Sequence, residues 1–355
     1  MTNRPLVAAP VTGSSRMIAY ALSAICLVAG LFGIGTAPAA DAADTLVVYS
    51  GRAERLIKPV LDDFEGKTGI KIQLLSSGTT ELVNRVQMEG ARSPADVLIT
   101  NDAGSLERAR ELGLFRPLAL REVDRAIPAQ YRAADNSWIG LSGRFWIVVY
   151  NTKQVKAEDV PSLLDLALPK WKDKVAIPNA GSEYLQAGVS VIKATHGDAK
   201  TKEFLAGLKR NAGTRVYGKS SQIVEAVAKG EVPLGIVNHY YVHRQLASDP
   251  SAPIAVAIPD QQDGGMGAIM NVTGIGVLKH APHMEQAKLL VEFLVAQAGQ
   301  KLFADLNKEY PLHPEVKADP ALKPRASFRA ALVPLAKLAE LREPTMDLIE
   351  DAGLR

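Results

Sequence analysis

The sequence predicts an α/β protein of two lobes, and three observations predict it. Between residues 46 and 113, β-prone apolar runs alternate with helix-periodic segments across short loops, the pattern of a parallel sheet covered on both faces. The pattern starts afresh at Trp146. Extended segments near 145–151 and 268–278 join the two sets, and a cleft between such halves is a common place for a ligand.

The first half opens with LVVY at 46–49, a buried strand closed by the turn Ser50-Gly51. Leu56, Val60, Leu61 and Phe64 then recur at helical spacing until KTG at 67–69 stops the helix. A second strand follows at 70–74, and a second helix is marked by Leu82, Val83 and Val86 and ended by Gly90. A third strand covers 95–99 and a third helix 103–113. Loops at the carboxyl ends of such strands carry binding residues, which singles out Tyr49, Gly51, Arg52 and Glu54, and Thr100, Asn101 and Asp102.

The second half begins with WIVVY at 146–150. It continues through a strand at 175–177, helices near 184–195 and 200–210, TRVY at 214–217, a helix at 221–229 and LGIV at 234–237. VTGIGVL at 272–278 is a further apolar strand, ahead of a helix from about 284 to 296 whose Ala287, Leu290, Val291 and Leu294 share one face. Beyond 315 the chain turns rich in Pro and Ala before a Leu-bearing helix at 328–341, expected to pack on one lobe.

Residues 1–43 read as a secretory signal peptide: Arg4 and Arg16 precede a continuous apolar stretch, and small residues follow at 37–42 at cleavage spacing. An uncleaved anchor is the alternative. Removing the leader takes away Arg4, Arg16 and Asp41 and lowers the formal charge from +3 to +2. It also takes away Cys26, the only cysteine, leaving no disulfide, thiolate metal site or cysteine nucleophile. Charge so near balance argues against a nucleic-acid binder or a polybasic membrane-surface protein. About 310 residues remain, and with 47% hydrophobic residues in the chain they suffice for a large buried core.

The segment that carries chemistry is NHYYVHR at 238–244, directly after the apolar run at 233–237. Neighbours point apart on a regular strand or helix, so Tyr240 and Tyr241 converge only at an irregular strand-to-helix junction, which this stretch offers. A phenol ligates as phenolate, and its ordinary pKa is about 10; a small trivalent cation such as ferric iron offsets that cost, and tyrosinate is an iron ligand. Taken alone, such a pair more commonly serves packing. His239 and His243 stand at zinc-ligand spacing, but no His-Glu-x-x-His pattern completes the site, and both read as structural or solvent-facing. The glycine-rich stretch at 263–267 lacks the lysine and the strand–helix context of a phosphate cradle, and no nucleophile elbow or hydrolytic triad is recognisable by spacing.

Taken in order, VYSGR (48–52), FEGKTGI (64–70), RSPADV (92–97), VYN (149–151), NAGSEY (179–184), QIVEAV (222–227) with Gly230-Glu231, NHYY (238–241) and EYP (309–311) resemble the ferric-iron-binding periplasmic proteins of ABC-type importers, the bacterial transferrins. The likeness spans about 45–313. It implies a two-lobed, type II periplasmic-binding-protein fold. The N-terminal lobe is expected at 44–145 and 270–313, the C-terminal lobe at 146–269, and C-terminal helices at 314–355. It puts Tyr184, Tyr240 and Tyr241 on Fe(3+) and turns Arg144 toward a bound anion. Several relatives carry His-Tyr where this chain has Ala53 and Glu54. The resemblance therefore leaves Glu54 as a carboxylate ligand, or a synergistic anion such as carbonate held by Arg52 and Arg144. It implies a monomeric periplasmic carrier, not an enzyme, serving an ABC-type permease in the inner membrane. The rival readings are a carrier of an oxyanion or organophosphate on the same fold, and a secreted α/β hydrolase.

Overall fold

The structure, a computed structural model, describes residues 45–354. The leader expected at 1–43, with Cys26, lies outside the described residues. Strands are β1 (Thr45–Ser50), β2 (Lys71–Ser76), β3 (Val97–Thr100), β4 (Ile139–Asn151), β5 (Val175–Pro178), β6 (Val216–Tyr217), β7 (Leu234–Asn238), β8 (Ile254–Ala257), β9 (Ile269–Val277) and β10 (Tyr310–Pro311). Helices are α1 (Glu54–Thr68), α2 (Thr79–Glu89), α3 (Ala103–Glu111), α4 (Arg121–Ala126), α5 (Glu183–Ala212), α6 (Ser220–Ala228), α7 (His239–Ser248), α8 (Met284–Val295), α9 (Gln297–Asn307) and α10 (Lys337–Asp351).

The sheet runs β2-β1-β3-β9-β4-β7-β5-β6. β1 is parallel to β2 and β3, and β5 to β6 and β7, so each half keeps the expected parallel core. Between the cores lie β9 and β4, antiparallel to each other and to the strands beside them. The two form a ladder from Ile139↔Ile275 to Trp146↔Ile269, and both pass from one half of the sheet to the other. The mixed α/β architecture with two lobes is the one the sequence led to.

The helix faces read from periodicity are the buried ones. Leu56, Val60, Leu61 and Phe64 on α1 are at most 5% exposed, and Ala287, Leu290, Val291 and Leu294 on α8 are all at 0%. Full burial of such a side chain contributes roughly 1.5–3 kcal/mol. The two helices expected near 184–195 and 200–210 are both present within α5, separated by a kink at Gly197, whose φ of 77° and ψ of 172° break the helical path. Only glycine adopts that conformation cheaply.

The last expected helix is displaced. Residues 328–336 form no helix, and α10 begins at Lys337, whose N–H reaches the carbonyl of Pro334. Proline disfavours helical geometry in the residue before it, and the helical path breaks ahead of Pro334, although α10 itself carries Pro344 inside it. α10 packs against both α5 and α3. Ser190 on α5 donates to Thr345 on α10 at 3.0 Å, and Arg342 on α10 donates to Thr80 on α2 at 3.1 Å. Among the described residues no helix is long and apolar enough to cross a membrane.

Candidate metal centre

A cleft of about 730 Å³ opens at the carboxyl ends of the parallel strands. On one side it is lined by residues that follow β1, β2 and β3, among them Ala53, Arg55, Gly78 and Asn101; on the other by residues that follow β5, β6 and β7, among them Tyr184, Lys219, Tyr241 and Arg244. Its floor is closely built. A Cβ on Gly51 would lie 2.1 Å from the Thr79 hydroxyl, and Asn101 Nδ2 donates to the Gly51 carbonyl at 2.5 Å.

The tyrosine pair sits at the irregular junction that convergence requires. Asn238 ends β7 with extended backbone (φ −76°, ψ 142°), and α7 begins at His239. The Tyr240 and Tyr241 rings stack, with centroids 4.3 Å apart and planes inclined by 30°. His239 turns inward and pins this helix start. It is buried, its Nδ1 accepts from the Phe145 N–H at 3.1 Å, and its Nε2 lies 2.9 Å from the Lys308 carbonyl. Those partners place the ring proton on Nε2. Burial, aided by His243, pushes its pKa down to about 3, so the ring is neutral and structural, as its sequence setting suggested.

Tyr184 reaches the pair from the first turn of α5, where Ser182 caps the helix. Its oxygen lies 3.3 Å from that of Tyr240. Burial pushes the Tyr184 phenol up to about 12 against the pull of Arg144. Burial, and then the neighbouring Tyr184 and Tyr241, raise Tyr240 well above its ordinary value. Without a bound cation these two phenols are protonated at neutral pH, so a cation bound to their oxygens would displace their protons. Among the described residues no three His, Cys, Asp or Glu side chains gather to hold a metal.

Arg144, on β4, lies beneath them. It is buried, its Nη1 donates to Tyr184 Oη at 3.3 Å, and its guanidinium carbon stands 5.2 Å from the Tyr184 ring centroid. Its Nε and Nη2 find no partner among the described residues. They are donors in want of an oxygen.

The other two expected site residues are elsewhere. Arg52 is buried in an ion pair, its Nη2 2.8 Å from Glu309 Oε1 and its Nη1 donating to Thr273; Glu309 also accepts from Ser142 at 2.5 Å. Those two nitrogens hold β1, β9 and the segment before β10 together, while its Nε finds no partner among the described residues. Glu54 is exposed and lies outside the cleft lining, because the first turn of α1 turns Ala53 and Arg55 toward the cleft instead. The sequence reading missed Glu183. It lines the cleft beside Tyr184, and burial followed by the charge of Asp102 pushes its carboxyl up to about 7. Its adjacency to Tyr184 at a helix start was the available signal.

A family model described as bacterial extracellular solute-binding protein matches residues 92–332. Iron uptake protein A1 of Synechocystis sp. is 34% identical over 331 residues, covering 90% of this chain and 91% of that protein. The major ferric iron-binding protein of Neisseria meningitidis serogroup A is 30% identical over 343 residues, covering 95% and 99%. Among solved structures, a Trichodesmium protein (IdiA, FutA) in complex with iron and citrate superposes with a TM-score of 0.78 at 32% identity, covering 88% of this chain and all of that one. The apo ferric ion-binding protein A of Pasteurella haemolytica superposes with a TM-score of 0.82 at 29% identity, covering 88% and 98%.

Proposed function

Since this chain belongs to the bacterial extracellular solute-binding proteins, we propose that it is a carrier, not an enzyme, and that its cargo is ferric iron held by Tyr184, Tyr240 and Tyr241 as phenolates. The observation that carries this is the 3.3 Å approach of the Tyr184 and Tyr240 oxygens, with Tyr241 stacked on Tyr240. Around a trivalent ion each phenol can ionise, and three phenolates would cancel the metal's charge in a site where charge is costly. Arg144 offers its two unpaired nitrogens to whatever anion completes the shell. The names of the Synechocystis and Neisseria relatives agree with this reading.

In this reading the N-terminal lobe comprises 44–145 and 270–313, the C-terminal lobe 146–269, and the chain crosses between them on β4 and β9 near the facing pair Trp146 and Ile269. Lobe closure then presents a shape to an ABC-type permease, and the protein works as a monomer in the periplasm after cleavage of its leader near 39–43. Ferric loading should give a visible phenolate-to-iron charge-transfer band. A colourless iron-loaded protein would sink the proposal. The same fold carrying an oxyanion alone would use Arg144 without the phenols, and calorimetry with phosphate and sulfate on the Tyr240→Phe variant separates the two.

A further inference from the structure

A second cavity, of about 1110 Å³, is larger than the cleft and shares no lining residue with it. The ladder of β4 and β9 fixes which side it is on. Arg144, which donates to Tyr184, faces Asn271 across that ladder, and Phe145 faces Met270. Facing residues share one side of a sheet, and neighbours along a strand point to opposite sides. Met270, which lines the second cavity, therefore points away from the phenols. The cavity is a groove on the reverse of the two crossing strands.

One wall of the groove is the tail segment 329–336, which forms no helix. Its backbone is tied to the start of β9: the Ala268 N–H donates to the Arg329 carbonyl at 2.8 Å, and the Ala331 N–H to the Ala268 carbonyl at 2.9 Å. Its side chains are left uncovered. Leu332 is 96% exposed, and it lines the groove with Val333, Met266, Met270 and Trp138. A lone exposed leucine needs no explanation; one set in an apolar groove with room for a whole organic ligand, for which roughly 300–1,000 Å³ suffices, marks a binding surface. The charge around it has a sign. Arg110 pairs with Glu107 and Arg132 with Asp124, but Arg325 and Arg329, which also line the groove, form no ion pair with another described residue. Arg325 donates to the Phe328 carbonyl at 2.9 Å and stands 5.3 Å and 5.2 Å from the Phe145 and Phe328 ring centroids. Arg329 donates to the carbonyls of Gln261 and Gln262. Rings and carbonyls orient both guanidinium groups and neutralise neither.

We propose that this groove is a second binding site, separate from the cleft, for an amphipathic carboxylate. The head group engages Arg325 and Arg329, the pairing that planar guanidinium forks favour, and the hydrocarbon body lies along Leu332, Val333, Met266 and Met270. The site stands whether or not the cleft holds iron, since the two cavities have no residue in common.

The test is calorimetry on the iron-free protein with hexanoate, octanoate and decanoate, and with 1-decanol as the uncharged counterpart. One decanoate should bind per chain, about tenfold or more tightly than the alcohol, and affinity should rise about two- to fourfold for each methylene added along the acid series. The variant Arg325→Gln/Arg329→Gln should lose the preference for acid over alcohol. Leu332→Asp changes an exposed side chain and puts a carboxylate in the groove; it should weaken decanoate about tenfold or more, whereas Leu306→Asp, at an exposed leucine on α9 outside the groove, should not. Absence of saturable decanoate binding, an affinity indifferent to Leu332→Asp, or equal affinity for acid and alcohol in the wild type overturns the proposal. If the double arginine variant does not fold, the acid-to-alcohol ratio and Leu332→Asp decide. Co-sedimentation with phosphatidylglycerol vesicles in place of decanoate binding would assign the groove to a membrane surface and likewise overturn the proposal.

Discussion

The phenol oxygens of Tyr184 and Tyr240 stand 3.3 Å apart although 56 residues separate them in the chain. Two helices that start at the carboxyl ends of neighbouring strands, β5 and β7, bring them together. Neither oxygen gains its ordinary hydration there. Replacing Tyr184, Tyr240 or Tyr241 singly by Phe should weaken ferric binding by about a hundredfold or more, by analogy with the loss that even outer-shell changes cause at metal sites. It should also shift or abolish the charge-transfer band. Competitive titration against a coloured chelator measures the first and visible spectroscopy the second.

Iron affinity should fall as pH falls. Tyr184, pushed up to about 12, and Tyr240, raised well above its ordinary value by burial, are protonated at neutral pH without a bound cation, so each of them that binds iron releases a proton. By linkage, the binding constant should drop about tenfold per pH unit for each proton released. Titrations between about pH 8 and pH 6 give that slope. A flat profile would show that the phenols do not ligate.

His239 predicts an acid weakness of the fold itself. Its folded-state pKa of about 3 lies below the unfolded value of 6.5, so the unfolded chain binds the extra proton first. Stability should therefore be complete above the unfolded value and decline as pH falls from there toward the folded one. His239→Ala should remove that dependence and cost about 2–4 kcal/mol, since it leaves the Phe145 N–H and the Lys308 carbonyl unpaired. Urea unfolding at several pH values tests both statements.

Arg52 and Glu309 should matter for stability rather than for cargo. Breaking a buried pair from one side leaves the other charge uncompensated, at a cost of about 3–5 kcal/mol. Glu309→Ala is expected to lower the denaturant midpoint accordingly, while the folded fraction keeps its visible band on loading.

The sequence disclosed the parts of this molecule whose pattern is local. Buried stripes on α1 and α8 have helical periodicity, and β1, β3 and β7 are short apolar runs between turn residues, so each declares itself without its neighbours. The first half of β4 did not. Its Gly140, Ser142, Gly143 and Arg144 are not β-prone residues, and they form a strand because β9 and β10 pair with them and because space allows nothing larger: a Cβ on Gly140 would lie 2.6 Å from the Tyr131 carbonyl oxygen. The short break at Ala296 between α8 and α9 carries neither Gly nor Pro and gave no local warning of a new helix. At the site, the meeting of the Tyr240 and Tyr241 rings was legible because a strand-to-helix junction lets adjacent residues converge, whereas Tyr184 was pointed to only by the family resemblance. The places of Arg52 and Glu54 were not legible, since a helix register and a partner 257 residues away decide where each side chain goes.

The placement of α10 reaches beyond the cleft. One helix near the carboxyl terminus touches α3 in the first half and α5 in the second, and Leu354, after it, is fully buried. The tail is thus a poor handle for affinity tags or reporter fusions, which would tug on both halves at once. For the same reason, a small dye attached at an exposed position of this helix should register cargo loading as a change in its surroundings, making the tail a natural place from which to watch the protein work.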